Sequence, residues 1–163
     1  EIRELVCRAS PLIEGNLLIV CPGAKPGACV IALDKRTGRE IWKALDENVG
    51  NSSPLVIVAG GQRQVIVWTD ESVASLNPAT GEEVWDYPML DVSDAGILTT
   101  GSDLLFSGNR EGHFFALNAR TGKELWRRYL GLQVSASPIT YTVDGMQYVS
   151  VAAGHAIFTF GLR

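Results

Sequence analysis

Few residues in this chain have types and spacing that suggest chemistry. His113 and His155 stand 42 positions apart, each at the head of an apolar run. Two imidazoles on one face would begin a metal or ligand patch, but such a site needs further ligands at suitable spacing, and the two also read as unrelated surface or interior histidines. Asp70 and Glu71 follow Trp68 at what reads as a turn. The carboxylates have the character of calcium ligands or of a solvated turn, and the indole that of a stacking platform or a buried core group. Cys7, Cys21 and Cys29 are an odd number with no CxxC pair, which argues against a zinc or dithiol redox site. Cys21 and Cys29 flank a Pro/Gly turn, PGAKPGA, where they would form a disulfide if they faced each other and would otherwise be small core residues. No Ser/His/Asp arrangement stands out, and Gly60-Gly61 reads as a turn because no helix follows it to bind phosphate. The chemistry-bearing residues therefore nominate no catalytic, cofactor-binding or metal site.

The elements that would hold such residues are legible as a repeat. ALDKRTGREIW spans residues 32–42, SLNPATGEEVW 75–85 and ALNARTGKELW 116–126. Their tryptophans, Trp42, Trp85 and Trp126, lie 43 and 41 residues apart, a period that signals stacked supersecondary units. Small residues open each unit, at Pro11, Pro54, Ala95 and Pro138. Two β-branched runs follow: residues 17–21 and 29–34, 64–69 and 72–77, 104–107 and 113–118, 147–152 and 155–160. Runs of four to six apolar residues broken by Gly-rich segments predict strands. The Thr-Gly pairs at Gly38, Gly81 and Gly122 predict tight turns with positive φ, and Asp144-Gly145 a hairpin. Four strands per unit of about 40 residues predict an all-β fold, a β-propeller of four-stranded antiparallel blades with four blades per chain. The expected layout is one domain over 1–163, with blades at about 8–45, 51–88, 94–130 and 134–163. Each motif tryptophan is expected to be a wedge between neighbouring blades. No TGxxxW follows residue 160, and Arg3-Glu4-Leu5-Val6 matches Arg39-Glu40-Ile41-Trp42, so residues 1–7 are expected to supply the closing outer strand of the fourth blade.

The AxDxxTGxxxW pattern resembles the tryptophan-docking repeat of the pyrroloquinoline quinone (PQQ) propeller superfamily. That superfamily includes quinoprotein alcohol dehydrogenases and non-catalytic relatives such as the lipoprotein of the outer-membrane barrel-assembly machinery. Residues 95–154 resemble the C-terminal blades of a quinoprotein alcohol dehydrogenase and residues 10–88 the generic non-enzymatic repeats, with the join near Asp91 to Asp94. The resemblance implies eight blades in a full ring. Four blades then either close a small ring or form a half ring that pairs with a second copy, and the matching blade spacing prefers the eight-bladed homodimer. The resemblance also implies, for catalysis, a PQQ stacked between a tryptophan and a disulfide of adjacent cysteines, a calcium and an aspartate base; no adjacent cysteine pair exists here.

Net charge is −4 and no Lys/Arg block occurs, which excludes a nucleic-acid footprint. The longest apolar runs are far too short to span a membrane. No signal peptide is expected ahead of the fold, and a start at Glu1 suggests a processed or excised piece. The expected function is a non-catalytic β-propeller scaffold or protein-binding module without a cofactor, working as a homodimer or with a protein partner. The resemblance places it in the periplasm or another exported setting. Two alternatives stand beside it: a PQQ- and calcium-binding quinoprotein dehydrogenase fragment, and a recombined or engineered fold without an evolved function.

Overall fold

The structure is a computed structural model that describes residues 9–50, 52–89 and 95–162. Every regular element among these residues is a strand. The chain divides into two compact units, Glu1–Leu90 and Asp91–Arg163. The segment expected to close the fourth blade, residues 1–7, lies outside the described residues.

The first unit holds two four-stranded antiparallel sheets. One is ordered β1 (Leu12–Glu14), β2 (Leu17–Val20), β3 (Val30–Asp34), β4 (Glu40–Ala44); the other β5 (Leu55–Ala59), β6 (Gln62–Trp68), β7 (Ser72–Leu76), β8 (Glu83–Pro88). Ile19, Val30, Ala32 and Trp42 of the first sheet pack on Val65, Val67 and Leu76 of the second. Alternation along each strand sends these residues to one face, so a single junction core forms between the sheets. The bidentate pair of Arg63 with Glu14, at 2.5 and 2.6 Å, ties the sheets together at the surface.

The second unit holds a four-stranded sheet, β9 (Leu98–Thr99), β10 (Leu104–Gly108), β11 (His113–Asn118), β12 (Glu124–Tyr129), and a three-stranded one, β13 (Ile139–Val143), β14 (Met146–Ala153), β15 (Ala156–Gly161). Its core packs Phe106, Phe114 and Ala116 against Val149, Val151 and Ala153, with Phe158 and Phe160 alongside.

The three repeat turns are built alike. Gly38, Gly81 and Gly122 all have φ near +70°. Their amides donate to the carbonyls of Asp34, Asn77 and Asn118 at 2.8–2.9 Å. The side chains of those same Asp and Asn residues accept from the backbone amide two positions on. Asp34 also accepts from the Thr37 amide and hydroxyl, which holds its carboxyl below the usual range. The Asx geometry bends the chain and glycine supplies the left-handed residue that ends the bend.

Each turn leads into a bulge. Ala32 pairs with Trp42 while Leu33 pairs with Glu40, leaving Ile41 as the extra residue. Val84 and Leu125 are the extra residues of the equivalent strands. All three are apolar and exposed. A bulge on an outer strand twists it away from further pairing.

The faces of the fourth sheet revise the alignment of its third strand. Matching residues 155–160 to 113–118 would set Phe158 on Ala116. Ala116 shares its face with Trp126, opposite which it pairs, whereas Phe158 points the other way, into the core that Ala116 faces. Period-two alternation forbids equivalence between opposite faces. A shift of three residues restores it: Gly161-Leu162 answers to Ala116-Leu117, Ser75-Leu76 and Ala32-Leu33. The cause is a longer hairpin: five residues separate Gly108 from its partner Phe114, whereas eight separate Ser150, which holds the place of Gly108, from its partner Thr159.

Candidate functional site

The motif tryptophans were the strongest repeated signal, and they differ in setting. Trp42 is 7% exposed and its indole N–H donates to the Pro78 carbonyl at 2.9 Å. Its ring lies over Gly81, where a Cβ would come within 2.6 Å of it. Trp85 is also buried, and its N–H donates to Gln64 Oε1 at 3.1 Å within its own sheet. Gln64 is itself buried and also accepts from the Ser75 hydroxyl at 2.6 Å, so one carboxamide oxygen satisfies two buried donors. Trp126 departs from the expected wedge. It is 37% exposed and meets Phe114 and Phe160 edge to face, at 6.0 and 5.0 Å between ring centroids. With Phe160 and Leu162 it lines a groove of about 500 Å³, floored by Phe106 and Ala116 and rimmed by Leu125 and Thr159. The groove is aromatic and aliphatic, with no charged residue among its lining.

The structure separates the other sequence candidates. His113 opens β11, with Nδ1 3.6 Å from Glu111 and its ring 5.2 Å from Tyr129. His155 is exposed in the β14–β15 turn. Among the described residues, no group of three or more His, Cys, Asp or Glu that could hold a metal ion includes either of them. Asp70 and Glu71 diverge: the Asp70 amide donates to the Asn48 carbonyl, and the Glu71 carboxylate faces Lys25 at 3.6 Å. Trp68 is buried, and its indole N–H has no hydrogen-bond partner among the described residues.

Cys21 and Cys29 are both buried, and Cys29 is free. Gly23, not Cys21, stands across from Cys29: its amide donates to the Cys29 carbonyl at 3.2 Å. Burial first, then the charges of Glu47 and Asp70, push the Cys29 thiol up to about 11, which makes it unreactive near neutrality. A polar cluster that the sequence did not suggest lies beside it. The hydroxyls of Thr69 and Ser72 both donate to the Glu47 carboxylate, and the Thr69 hydroxyl accepts the Ser72 amide at 2.8 Å. These bonds fasten the β6–β7 turn. The signal available beforehand was only the small polar residues bracketing Asp70-Glu71.

A search for known relatives places this geometry. The family model described as outer membrane protein assembly factor BamB matches residues 69–160. The chain belongs to this family of PQQ-type β-propellers. The propeller is 39% identical over 84 residues to a quinoprotein ethanol dehydrogenase from Pseudomonas putida, a stretch that covers 52% of this chain and 14% of the enzyme. Among solved structures it resembles BamB from Moraxella catarrhalis, with TM-score 0.64 and 26% identity over 90% of this chain and 43% of that one. It also shares the fold of the computationally designed Ika4 protein, with TM-score 0.69 and 16% identity over 100% and 95% of the two chains. The propeller thus spans a small part of the dehydrogenase it matches and under half of BamB. Each of its sheets is a blade of that fold.

PQQ with its calcium demands a cluster of oxygen donors beside an aromatic platform. Among the described residues no three His, Cys, Asp or Glu side chains are placed to hold a metal ion, and the groove beside Trp126 carries no carboxylate. The residues present do not fit that group.

Proposed function

We propose that this chain is a non-catalytic propeller segment, a scaffold or protein-binding module that works as a homodimer in a periplasmic or otherwise exported setting. One observation carries the reading: the repeated residues are engaged in holding the fold. Trp42 covers Gly81 and bonds to Pro78, Gln64 takes up Trp85, and Asp34, Asn77 and Asn118 shape the turns. Trp42 lying on Gly81 supports the tryptophan-docking reading of the repeat. The match to an assembly-factor family supports a role in holding proteins together. We assign residues 1–7 to the closing outer strand of the fourth blade on the match of Arg3-Glu4-Leu5-Val6 to Arg39-Glu40-Ile41-Trp42.

The identity with quinoprotein ethanol dehydrogenase favours a second reading, a PQQ- and calcium-binding fragment. Titration with PQQ and calcium, followed by absorbance and melting temperature, separates the two. A ligand at one hundred times its dissociation constant stabilises by about 2.7 kcal/mol. The scaffold reading expects no saturable shift, and a shift that saturates would replace it with the second.

A further inference from the structure

The place beside the motif tryptophan is built differently in the two units. In the first, the turn that joins β7 to β8 lies on Trp42. The Pro78 carbonyl accepts the indole N–H at 2.9 Å, and Gly81, at φ +74°, sits so close that a Cβ would stand 2.6 Å from the ring. In the second, β15 holds the place of β7, yet among the described residues no turn lies over Trp126. Its ring is 37% exposed and borders the groove of about 500 Å³ that it shares with Phe160, Gly161 and Leu162.

The groove specifies what would fill it. Its lining holds no charged residue, so a charged occupant would lose its hydration without a partner. The Trp126 indole N–H is a donor only and needs an acceptor once it is covered. A flat ring face is approached most closely by a Cα without a Cβ. A turn ending in glycine brings all three features together: an uncharged body, a carbonyl and a bare Cα. The groove also runs on past Leu104 and Leu162 into a hollow of about 600 Å³ lined by Ser102, Asp144 and Gln147. That polar mouth lets the chain on either side of a seated turn reach water.

The repeat's own turns are engaged elsewhere. Those at Gly38, Gly81 and Gly122 are each closed within their own sheets, and residues 1–7, assigned above to the outer strand, contain no glycine.

We infer that the groove beside Trp126 is a docking seat for a glycine turn of a partner polypeptide, of the Asn-x-x-Thr-Gly kind that covers Trp42. One of its carbonyls accepts the Trp126 indole N–H and its glycine lies against the ring. This rests on the protein-binding reading above and names the chemistry of what is bound. The Trp42 seat supplies the pattern, because it is the same contact built from the same repeat.

The test titrates the full, isotope-labelled chain with the peptide Asn-Pro-Ala-Thr-Gly-Glu, the sequence of residues 77–82, and follows the indole N–H signals of its four tryptophans by NMR. The Trp126 signal is expected to move and saturate, while those of Trp42, Trp68 and Trp85 stay in place. Trp126→Phe identifies the signal; should that variant unfold, single Phe substitutions of the other three identify it by elimination. The peptide with Val in place of its glycine is expected to bind about tenfold more weakly or worse. Leu125→Glu, which sets a charge at the rim of the groove, is expected to abolish the shift, and Val84→Glu, at the same exposed place in another sheet, to leave it intact. No saturable shift at millimolar peptide, an equal response to the valine peptide, or a Trp126 signal that answers to free indole and not to the peptide would overturn the inference. None of these signals depends on PQQ or calcium, so the docking seat and the scaffold reading fail separately.

Discussion

Trp42 and Trp126 hold the same place in the repeat and differ in what they touch. Trp42 is enclosed and hydrogen-bonded, and Trp126 borders an open groove. Replacing Trp42 with Ala should cost roughly 3–5 kcal/mol, the range for a buried aromatic, and Trp126→Ala only about 1–2 kcal/mol. Urea denaturation of both variants checks this, and equal losses would contradict it. Glycine positions divide in the same way. Gly81→Ala places a methyl against the Trp42 ring at a positive φ, whereas Gly38→Ala meets the positive φ with open space around it. Gly38→Ala should cost about 1 kcal/mol and Gly81→Ala clearly more. Cys29 gives a third contrast. Its raised thiol keeps its proton in the folded state, so the contribution to stability is full below the ordinary thiol value and is lost as pH rises toward about 11. Native protein at pH 8 should leave Cys21 and Cys29 unlabelled by a thiol reagent until denaturant is added. The tryptophans were legible because the repeat marks them. The exposure of Trp126 was not, because burial depends on what the neighbouring sheet lays over it.

At the scale of the element, the repeat turn is the best-determined part of the chain. Its bonds are local, which is why Thr-Gly predicted positive φ correctly at three sites. The Asp or Asn three residues before each Thr was in view in the motif and went unread, although its side chain makes the bend. Asp34 makes the contribution pH-dependent. Its carboxyl is held low by the Thr37 bonds first, so the stabilisation is present above the usual carboxylate range and fades as pH falls through the lowered value. Asp34→Ala should flatten the acid side of a stability–pH curve measured by urea melts, and an unchanged acid limb would assign the turn to backbone bonds alone. The strand alignment of the fourth sheet was illegible for a different reason. A hairpin three residues longer in the fourth sheet than in the third shifts the last strand by three residues, and only the faces of the folded sheet record which residues correspond.

For the whole molecule, a ring closed by two copies predicts that stability depends on concentration. The melting temperature should rise as the chain is concentrated from nanomolar to micromolar, because association removes folded monomer by mass action. A flat melting temperature across that range would count against the dimer. The bulges have a consequence of another order. Ile41, Val84 and Leu125 each occupy a place with no partner across the strand, while the glutamate before and the tryptophan after each of them pair with consecutive residues of the neighbouring strand. Deleting one of them would therefore leave the tryptophan on its own side, opposite the same alanine or serine, and remove the extra twist of the outer strand; exchanging it for another aliphatic would change little. What is kept at this place is one residue of surplus length rather than a particular letter, and the surplus serves the margin of the sheet by making it a poor template for a stranger's strand.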